Sequence, residues 1–231
     1  IPNVKGQVYA DFDSLLAALK SGAIDGYIAE EPTAFVNCRK DPTLGYLKFT
    51  NNQNGFTATA SDTAIAVGCK KGSSLTARIN AVLTSLSDAQ KSALMEEIFT
   101  VNAGGTVAAY SVSAPAPEHP TGTLKIAMEC AYDPFNWTQT TDASGAVPIA
   151  GANGAGLYAN GYDVQIAKYI AYTLGMELEV YSVAWDSLIG GVESGTYDAV
   201  IAGMSPTEER REKLDFTAPY YSSNLVVIYR R

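Results

Sequence analysis

Arg210 is the residue of this chain best equipped to hold an anion. It follows a run of small apolar residues, Ala199-Val200-Ile201-Ala202, and a turn, Gly203-Met204-Ser205-Pro206. Such a run reads as a buried strand, and open α/β sheets bind ligands beyond the carboxyl ends of their strands. A guanidinium presents two parallel N–H donors that match the fork of a carboxylate. Ser205 and the backbone around it can add donors, and the Gly203 carbonyl can accept from an ammonium. The alternative is an arginine on a short charged helix, paired with Glu208 or Asp215 at the surface; Arg211 is read that way. Glu30 ends a second strand-like run, Gly26-Tyr27-Ile28-Ala29. It either faces a cation or stands solvated before a proline-started helix, the reading given to Glu31. Tyr132 and Trp185 are either aromatic walls of a site or core residues; rings desolvate a ligand and favour cations through their faces. Glu129 ends the apolar run 124–128.

Other chemistries drop out. The single histidine, His119, sits in Ala116-Pro117-Glu118-His119-Pro120, so a Ser-His-Asp or Cys-His nucleophile would have to be built in a linker. Cys38, Cys69 and Cys130 are far apart and form no CxxC pair, which argues against structural zinc. An odd count leaves at least one thiol free or paired to another chain, and buried free thiols are expected. The glycine-rich 151–156 stretch lacks the Lys-Ser/Thr of a phosphate-binding loop and reads as a surface loop. No cofactor and no metal are expected. With 16 basic and 24 acidic residues the formal charge is −8, the wrong sign for a nucleic-acid partner. A 47% hydrophobic composition with 17% charged residues supports a packed core. No uncharged apolar run reaches the roughly 18 residues of a membrane span. The opening Ile1-Pro2-Asn3-Val4-Lys5 has no signal-peptide pattern, so a targeting segment is expected to have been removed or to lie outside the chain.

The elements that must position these residues follow from periodicity and turn chemistry. Residues 7–9 read as a short strand. Asp11 or Asp13 caps a helix carrying Leu15, Leu16 and Leu19 on one face, ended by Ser21-Gly22. A strand from Gly26, a helix from Pro32 and a strand over 44–49 come next. Residues 51–61 are polar and turn-rich, 64–67 a buried-type strand, and 70–74 a turn. Two helices occupy 75–99, the second capped by Ser87. The Pro-rich stretch 103–123 reads as a solvated linker. After the 124–128 strand a long loop runs through Gly156. A helix at 164–174, a strand at 178–181, a helix capped by Asp186, a strand at 199–202, a helical turn at 208–213 and a strand at 225–229 complete the chain. Strands alternating with helices imply α/β architecture with largely parallel sheets.

Several motifs together resemble one family. Residues 124–135, Leu-Lys-Ile-Ala-Met-Glu-Cys-Ala-Tyr-Asp-Pro-Phe, look like the first strand and loop of type II periplasmic or lipoprotein amino-acid-binding proteins, the solute receptors of ABC importers (bacterial solute-binding protein family 3). Gly161-Tyr-Asp-Val-Gln-Ile-Ala167 resembles their first helix. Ala202-Gly-Met-Ser-Pro-Thr-Glu-Glu-Arg210 with Leu214-Asp-Phe-Thr-Ala-Pro-Tyr-Tyr221 resembles their signature, and Asp25-Gly-Tyr-Ile-Ala-Glu-Glu-Pro32 a second-lobe strand that ends at the ligand. The resemblance covers nearly the whole chain apart from 103–123.

It implies a two-lobed, periplasmic-binding-protein-like II fold that closes around a small-molecule amino acid without catalysis. Arg210 would clamp the ligand carboxylate with Ser205, Glu30 and the Gly203 carbonyl would take the ammonium, and Tyr132 and Trp185 would wall the side chain. Glu129 occupies the place where related receptors for basic amino acids carry an acid, so arginine, lysine or ornithine is implied, with a glutamine-type ligand as the alternative. A dehydratase-like enzyme on the same fold, using Glu129 or Glu30 as general acid, and a sensor module are the competing functions. The partner implied is an ABC permease, and the location periplasmic or extracellular, lipid-anchored in a Gram-positive source.

The order of the pieces departs from the family and implies a circular permutation, of the kind that suits a sensor half, or else the junction of two tandem receptor domains. Residues 1–63 would be part of lobe 2, 64–102 a hinge strand and the C-terminal part of lobe 1, 103–123 a linker joining native ends, 124–224 the main part of lobe 1, and 225–231 a hinge strand. A second-lobe segment carrying a strand, a helix and a Gly-Thr loop would be lacking. A sheet without its central strand leaves backbone groups unpaired, so that segment is expected to be excised, to sit on a second chain or to be replaced by an inserted domain.

Overall fold

Two hydrophobic cores organise the computed structural model, which describes residues 5–9, 11–49 and 56–231. The smaller core joins Leu19, Tyr27, Ala29, Ala34, Leu44, Val226 and Ile228. Its sheet has three antiparallel strands, with Leu225–Arg230 in the middle between Gly26–Glu30 and Leu44–Lys48. The Phe12–Ser21 and Glu31–Lys40 helices cover it, and Leu19 and Ala34 belong to the same cluster. Asp11 is the N-cap of the first helix, its carboxylate accepting from the Ser14 amide at 2.7 Å, and Gly22 ends it. Residues 225–230, expected as a hinge, thus form the centre of a sheet: alternate residues Val226 and Ile228 point into the core.

The larger core surrounds a five-stranded sheet in the order Glu177–Ser182, Thr123–Met128, Ala199–Val200, Gly68–Lys70, Leu214–Phe216. The first three strands are parallel; Gly68–Lys70 runs antiparallel to both neighbours. Helices Ser74–Thr84, Asp88–Asn102, Tyr162–Thr173 and Trp185–Glu193 bring Ile79, Leu94, Ile166 and Leu188 into this core. Ser87 and Gln90 form a reciprocal cap at Asp88. The fold is mixed α/β. The expectation of largely parallel sheets is corrected, because two of the three main sheets are antiparallel throughout and the third is mixed.

Chain passes between the cores at two adjacent places. Ala64–Ile65 pairs with Tyr221–Ser222 in a two-stranded ladder. The strand expected over 64–67 then breaks: Ala66 donates its N–H to Met204 O at 3.1 Å and Val67 to Thr217 Oγ1 at 3.2 Å. Pairing resumes in the larger sheet at Gly68, where a turn was expected by residue 70.

Other local expectations are also revised. Residues 7–9 are not a strand, having no neighbour to pair with, and Val8 is fully exposed. The polar stretch 51–61 lies outside the described residues at 51–55, and Ala60–Thr63 is a helical turn. Residues 103–123 carry no regular element before Thr123 and are mostly exposed, but 110–112 are anchored to the larger core. Val112 is buried in the larger core, the Tyr110 hydroxyl donates to Ser144 O at 2.8 Å, and the Ser111 amide donates to Glu97. The loop expected after residue 128 is a four-stranded antiparallel sheet, Ala131–Tyr132, Asn136–Gln139, Tyr158–Asn160 and Val147–Pro148. Trp185, not Asp186, opens its helix, with Ala184 as cap residue. Strand 199–202 is shortened to Ala199–Val200, though Ile201 and Ala202 stay buried.

Candidate functional site

Contacts between elements of both cores link most of the residues singled out by type. Arg210 lies on the Glu208–Lys213 helical turn, which Thr207 caps. Its Nη1 donates to the Ser205 carbonyl at 2.9 Å, and its guanidinium carbon lies 5.3 Å from the centre of the Trp185 ring. Of the two acids offered as its surface partners, Asp215 is taken by Lys71 and the Gly72 amide. Burial pulls the Arg210 pKa down, while the charges of Glu209 and Glu30 hold it up. Arg211 points elsewhere, its Nε donating to Pro206 O with the guanidinium over Phe216.

Glu30 approaches from the other core, at the end of the Gly26–Glu30 strand. Burial pushes its carboxyl up to about 7, with Arg210 pulling back and Asp163 pushing further. The Tyr132 hydroxyl donates to Glu30 Oε2. Glu31, expected as a solvated acid, is paired with Lys48 and accepts from Asn224.

Tyr132 is fully buried between two rings. Phe12 stacks on one side at 3.8 Å and 13°, and Phe135 on the other at 5.3 Å and 29°. Gly203 packs on its edge at φ +61°; a Cβ there would lie 2.8 Å from Tyr132 Cε1. Glycine is required for the backbone conformation and for this close approach. Ser205 is buried, with Oγ donating to Asp62 O at 3.1 Å.

Glu129 stands apart from this paired set. It is 8% exposed, and neither carboxylate oxygen has a hydrogen-bond partner. Burial pushes it up to about 7, the charges of Asp11 and Asp13 add to the shift, and the nearby Phe12 backbone N–H pulls back. The residue after it, Cys130, is held at φ +59°, with its N–H donating to Asn136 Oδ1 at 2.7 Å and its carbonyl accepting from Thr138. Those bonds hold a conformation that a side chain disfavours. They fix where Glu129 and Tyr132 leave the sheet.

Beneath the cleft lies a polar cluster that residue-type reasoning missed. Asp163 is fully buried, accepting from the Tyr220 hydroxyl at 2.6 Å and from Asn136 Nδ2 at 2.8 Å. Burial pushes its carboxyl up to about 6, with Tyr220, Asn136 and the Gly203 amide opposing. It ties together the loops bearing Glu129, Gly203 and Tyr221. The signal was available in Gly161-Tyr162-Asp163: Gly161 sits at φ +129°, and a Cβ would lie 2.3 Å from the Phe135 carbonyl. Phe12 was also missed, because its partner is 120 residues distant in sequence.

Rim contacts also join the two cores. Lys40 pairs with Asp133 at 2.7 Å, Asn102 donates to the same carboxylate at 2.9 Å, and Phe35 meets Phe99 at 4.8 Å. A cavity of about 700 Å³ lined by Lys71, Asn80 and Phe216 lies away from the cleft. All three cysteines are free, and burial pushes Cys69 up to about 11 and Cys130 to about 12. Among the described residues no three His, Cys, Asp or Glu side chains group to hold a metal, and no helix is long and apolar enough to cross a membrane.

Residues 124–231 match the model of the bacterial extracellular solute-binding proteins, family 3. The arginine-binding extracellular protein ArtP of Bacillus subtilis is 38% identical over 71 residues, covering 31% of this chain and 28% of that protein. The ABC transporter arginine-binding protein 1 of Escherichia coli is 39% identical over 71 residues, covering 31% of this chain and 29% of that protein. The chain thus spans under a third of the length of these two relatives. Among solved structures, an ancestral arginine-binding protein bound to arginine is 35% identical, covering 45% of this chain and 39% of its own, at a TM-score of 0.35; no structural argument rests on that likeness.

Proposed function

The chain belongs, through residues 124–231, to the bacterial extracellular solute-binding proteins, family 3, and we propose that it is a non-catalytic receptor that closes around an amino acid with a cationic side chain. One arrangement carries the reading: Tyr132 bonds Glu30 of one core and packs on Gly203 of the other, two residues before Ser205, whose carbonyl holds Arg210, so an acid and a guanidinium from separate cores share one chain of contacts. A zwitterion needs both an anion-binding and a cation-binding partner, because a buried charge without a partner is costly. Arg210 with Ser205 takes the carboxylate, Glu30 and the Gly203 carbonyl the ammonium, Trp185 and Tyr132 wall the stem, and Glu129 meets the distal charge. Ligand entry exchanges the Tyr132–Glu30 and Arg210–Ser205 hydrogen bonds for bonds to the ligand. Closure then follows from the ligand's preference for the closed arrangement. Both arginine-binding relatives support a guanidinium or ammonium side chain.

A thermal-shift panel of the standard amino acids and ornithine tests this, followed by calorimetry on the hits. A ligand that binds only the folded state raises the melting temperature. Arginine, lysine or ornithine giving the largest shift is the expected result. Tight binding of glutamate or a branched apolar amino acid, with none of arginine, overturns it. The enzymatic alternative draws on two carboxyls held near 7 in one cleft, Glu30 and Glu129; turnover of prephenate or arogenate would favour it.

The permuted order is likewise our reading. Its support is the five-stranded sheet, where Gly68–Lys70 inserts between Ala199–Val200 and Leu214–Phe216 although it precedes both by more than 100 residues. On this reading residues 64–102 and 124–224 build one lobe, 103–123 joins them, and 1–63 with 225–231 build the other. The tandem-junction alternative predicts the same local packing. Proteolysis within 103–123 should leave two fragments that co-elute, since both contribute to one core. In the cell the receptor would work outside the cytoplasmic membrane, with an ABC permease.

A further inference from the structure

We propose that Asp11 and Asp13, at the start of the Phe12–Ser21 helix, are specificity-determining residues of this site, adding their charges to that of Glu129 so that a cationic side chain is accepted and its neutral isostere rejected. The inference rests on the receptor reading and extends it to residues outside 124–231, on the other core.

The geometry begins with Phe12. Its helix places Leu19 in the smaller core, while the Phe12 ring packs against the larger one, parallel to Tyr132 at 3.8 Å. Tyr132 lies three residues after Glu129 on the same loop. The stack therefore holds the helix's first turn, with an acid on either side of Phe12 in sequence, beside Glu129. Glu129 itself is more than nine-tenths buried, and both its oxygens lack a partner. Among the described residues, no lysine or arginine forms an ion pair with Glu129, Asp11 or Asp13. Arg210, the nearby cation, is turned to the Ser205 carbonyl and the Trp185 ring.

Of these carboxyls only Glu129 is buried; with two solvent-accessible aspartates beside it and no ion-pair partner, it leaves a negative field for a cationic ligand to meet. Buried ionised groups persist only when paired. Asp11 is committed as helix cap through one oxygen to the Ser14 amide, and that bond holds it below the ordinary carboxylate range, so its charge is permanent at neutral pH. Neither aspartate needs to touch the ligand, because a unit charge several ångströms away in a half-buried cleft still alters affinity severalfold. Organic cations of extended shape, a guanidinium or primary ammonium on a flexible stem, suit the site. No three of these carboxyls are grouped closely enough to hold a metal ion.

The test is calorimetric titration of the 231-residue chain and its Asp11→Asn/Asp13→Asn variant with arginine and with citrulline, its neutral isostere. Asparagine caps a helix about as well as aspartate, so the first turn is retained, and unchanged far-UV circular dichroism checks it. Asp13→Asn alone, which disturbs no cap, serves as the second variant. Arginine affinity should fall about tenfold in the double variant and about threefold in the single one, with citrulline affinity within a factor of about two and the arginine loss shrinking at high salt. Unchanged arginine affinity, or equal losses for both ligands, overturns the inference while leaving the receptor reading intact. Failure of the wild-type chain to bind either ligand overturns both.

Discussion

Glu129→Gln should stabilise the unliganded protein in mild base far more than in mild acid. The carboxyl is 8% exposed, has no hydrogen-bond partner, and is pushed from 4.5 to about 7. Below pH 4.5 folded and unfolded chains both hold the proton, and the group costs nothing extra. Between 4.5 and about 7 the unfolded chain releases it while the folded chain keeps it, and above that the fold carries the full penalty of a buried charge. At 1.36 kcal/mol per unit the penalty is about 3 kcal/mol at pH 8 and about 1 kcal/mol at pH 5. The glutamine amide brings its own cost of about 1–2 kcal/mol when buried unpaired, but that cost is the same at both pH values and cancels in the comparison. The variant's stability relative to wild type should therefore improve by about 2 kcal/mol between pH 5 and pH 8. For a chain of this size that corresponds to about 4–8 °C in melting temperature. Thermal unfolding followed by circular dichroism, on both proteins at both pH values without ligand, measures it. A melting-temperature difference that is the same at pH 5 and pH 8 refutes the reasoning, because it would mean that Glu129 carries no charge penalty in the fold. Saturating arginine should erase the variant's advantage, since the ligand then supplies the missing counter-charge.

Other outcomes follow from single contacts. Arg210→Ala should weaken amino-acid binding about 100-fold or more by calorimetry, by removing the charge-assisted donors, with a small change in unfolding midpoint. Gly203→Ala should cost about 1–3 kcal/mol in urea unfolding, from the positive φ and the 2.8 Å approach to Tyr132. Asp163→Ala should cost about 3–5 kcal/mol, because the Tyr220 hydroxyl and Asn136 amide lose their acceptor inside the core. Lys40→Ala should change stability by less than about 1 kcal/mol, its ion pair with Asp133 being half-exposed.

Elements with strong local signals were legible in advance: an aspartate cap at 11 or 13, the Ser87 cap, the Gly22 stop and the strands at 26–29, 124–128 and 225–229. Legibility failed where pairing is decided at a distance. Residues 131–160 have few apolar alternations and many Gly, Thr and Ala, so nothing local distinguishes a loop from the small antiparallel sheet they form. Val112 is one apolar residue in a Pro-rich stretch, and only the larger core draws it in. In the cleft, Arg210, Glu30, Glu129, Tyr132 and Trp185 could be named from residue type and motif. Their actual partners could not: Trp185 faces Arg210, and Tyr132 faces Phe12 and Glu30.

By itself the chain's order of residues determined which segments become helix or strand, where they stop, and which side chains have the chemistry to hold a zwitterion, because caps, periodicity and donor geometry act over a few residues. Tertiary structure alone decided that a strand at 68–70 sits between strands at 199–200 and 214–216, that an acid from residue 30 accepts a hydrogen bond from Tyr132, and that Glu129 forms no ion pair. Those outcomes depend on burial and on contacts between residues more than 100 positions apart. Hydrophobic burial and electrostatics act through space and carry no mark in the local sequence.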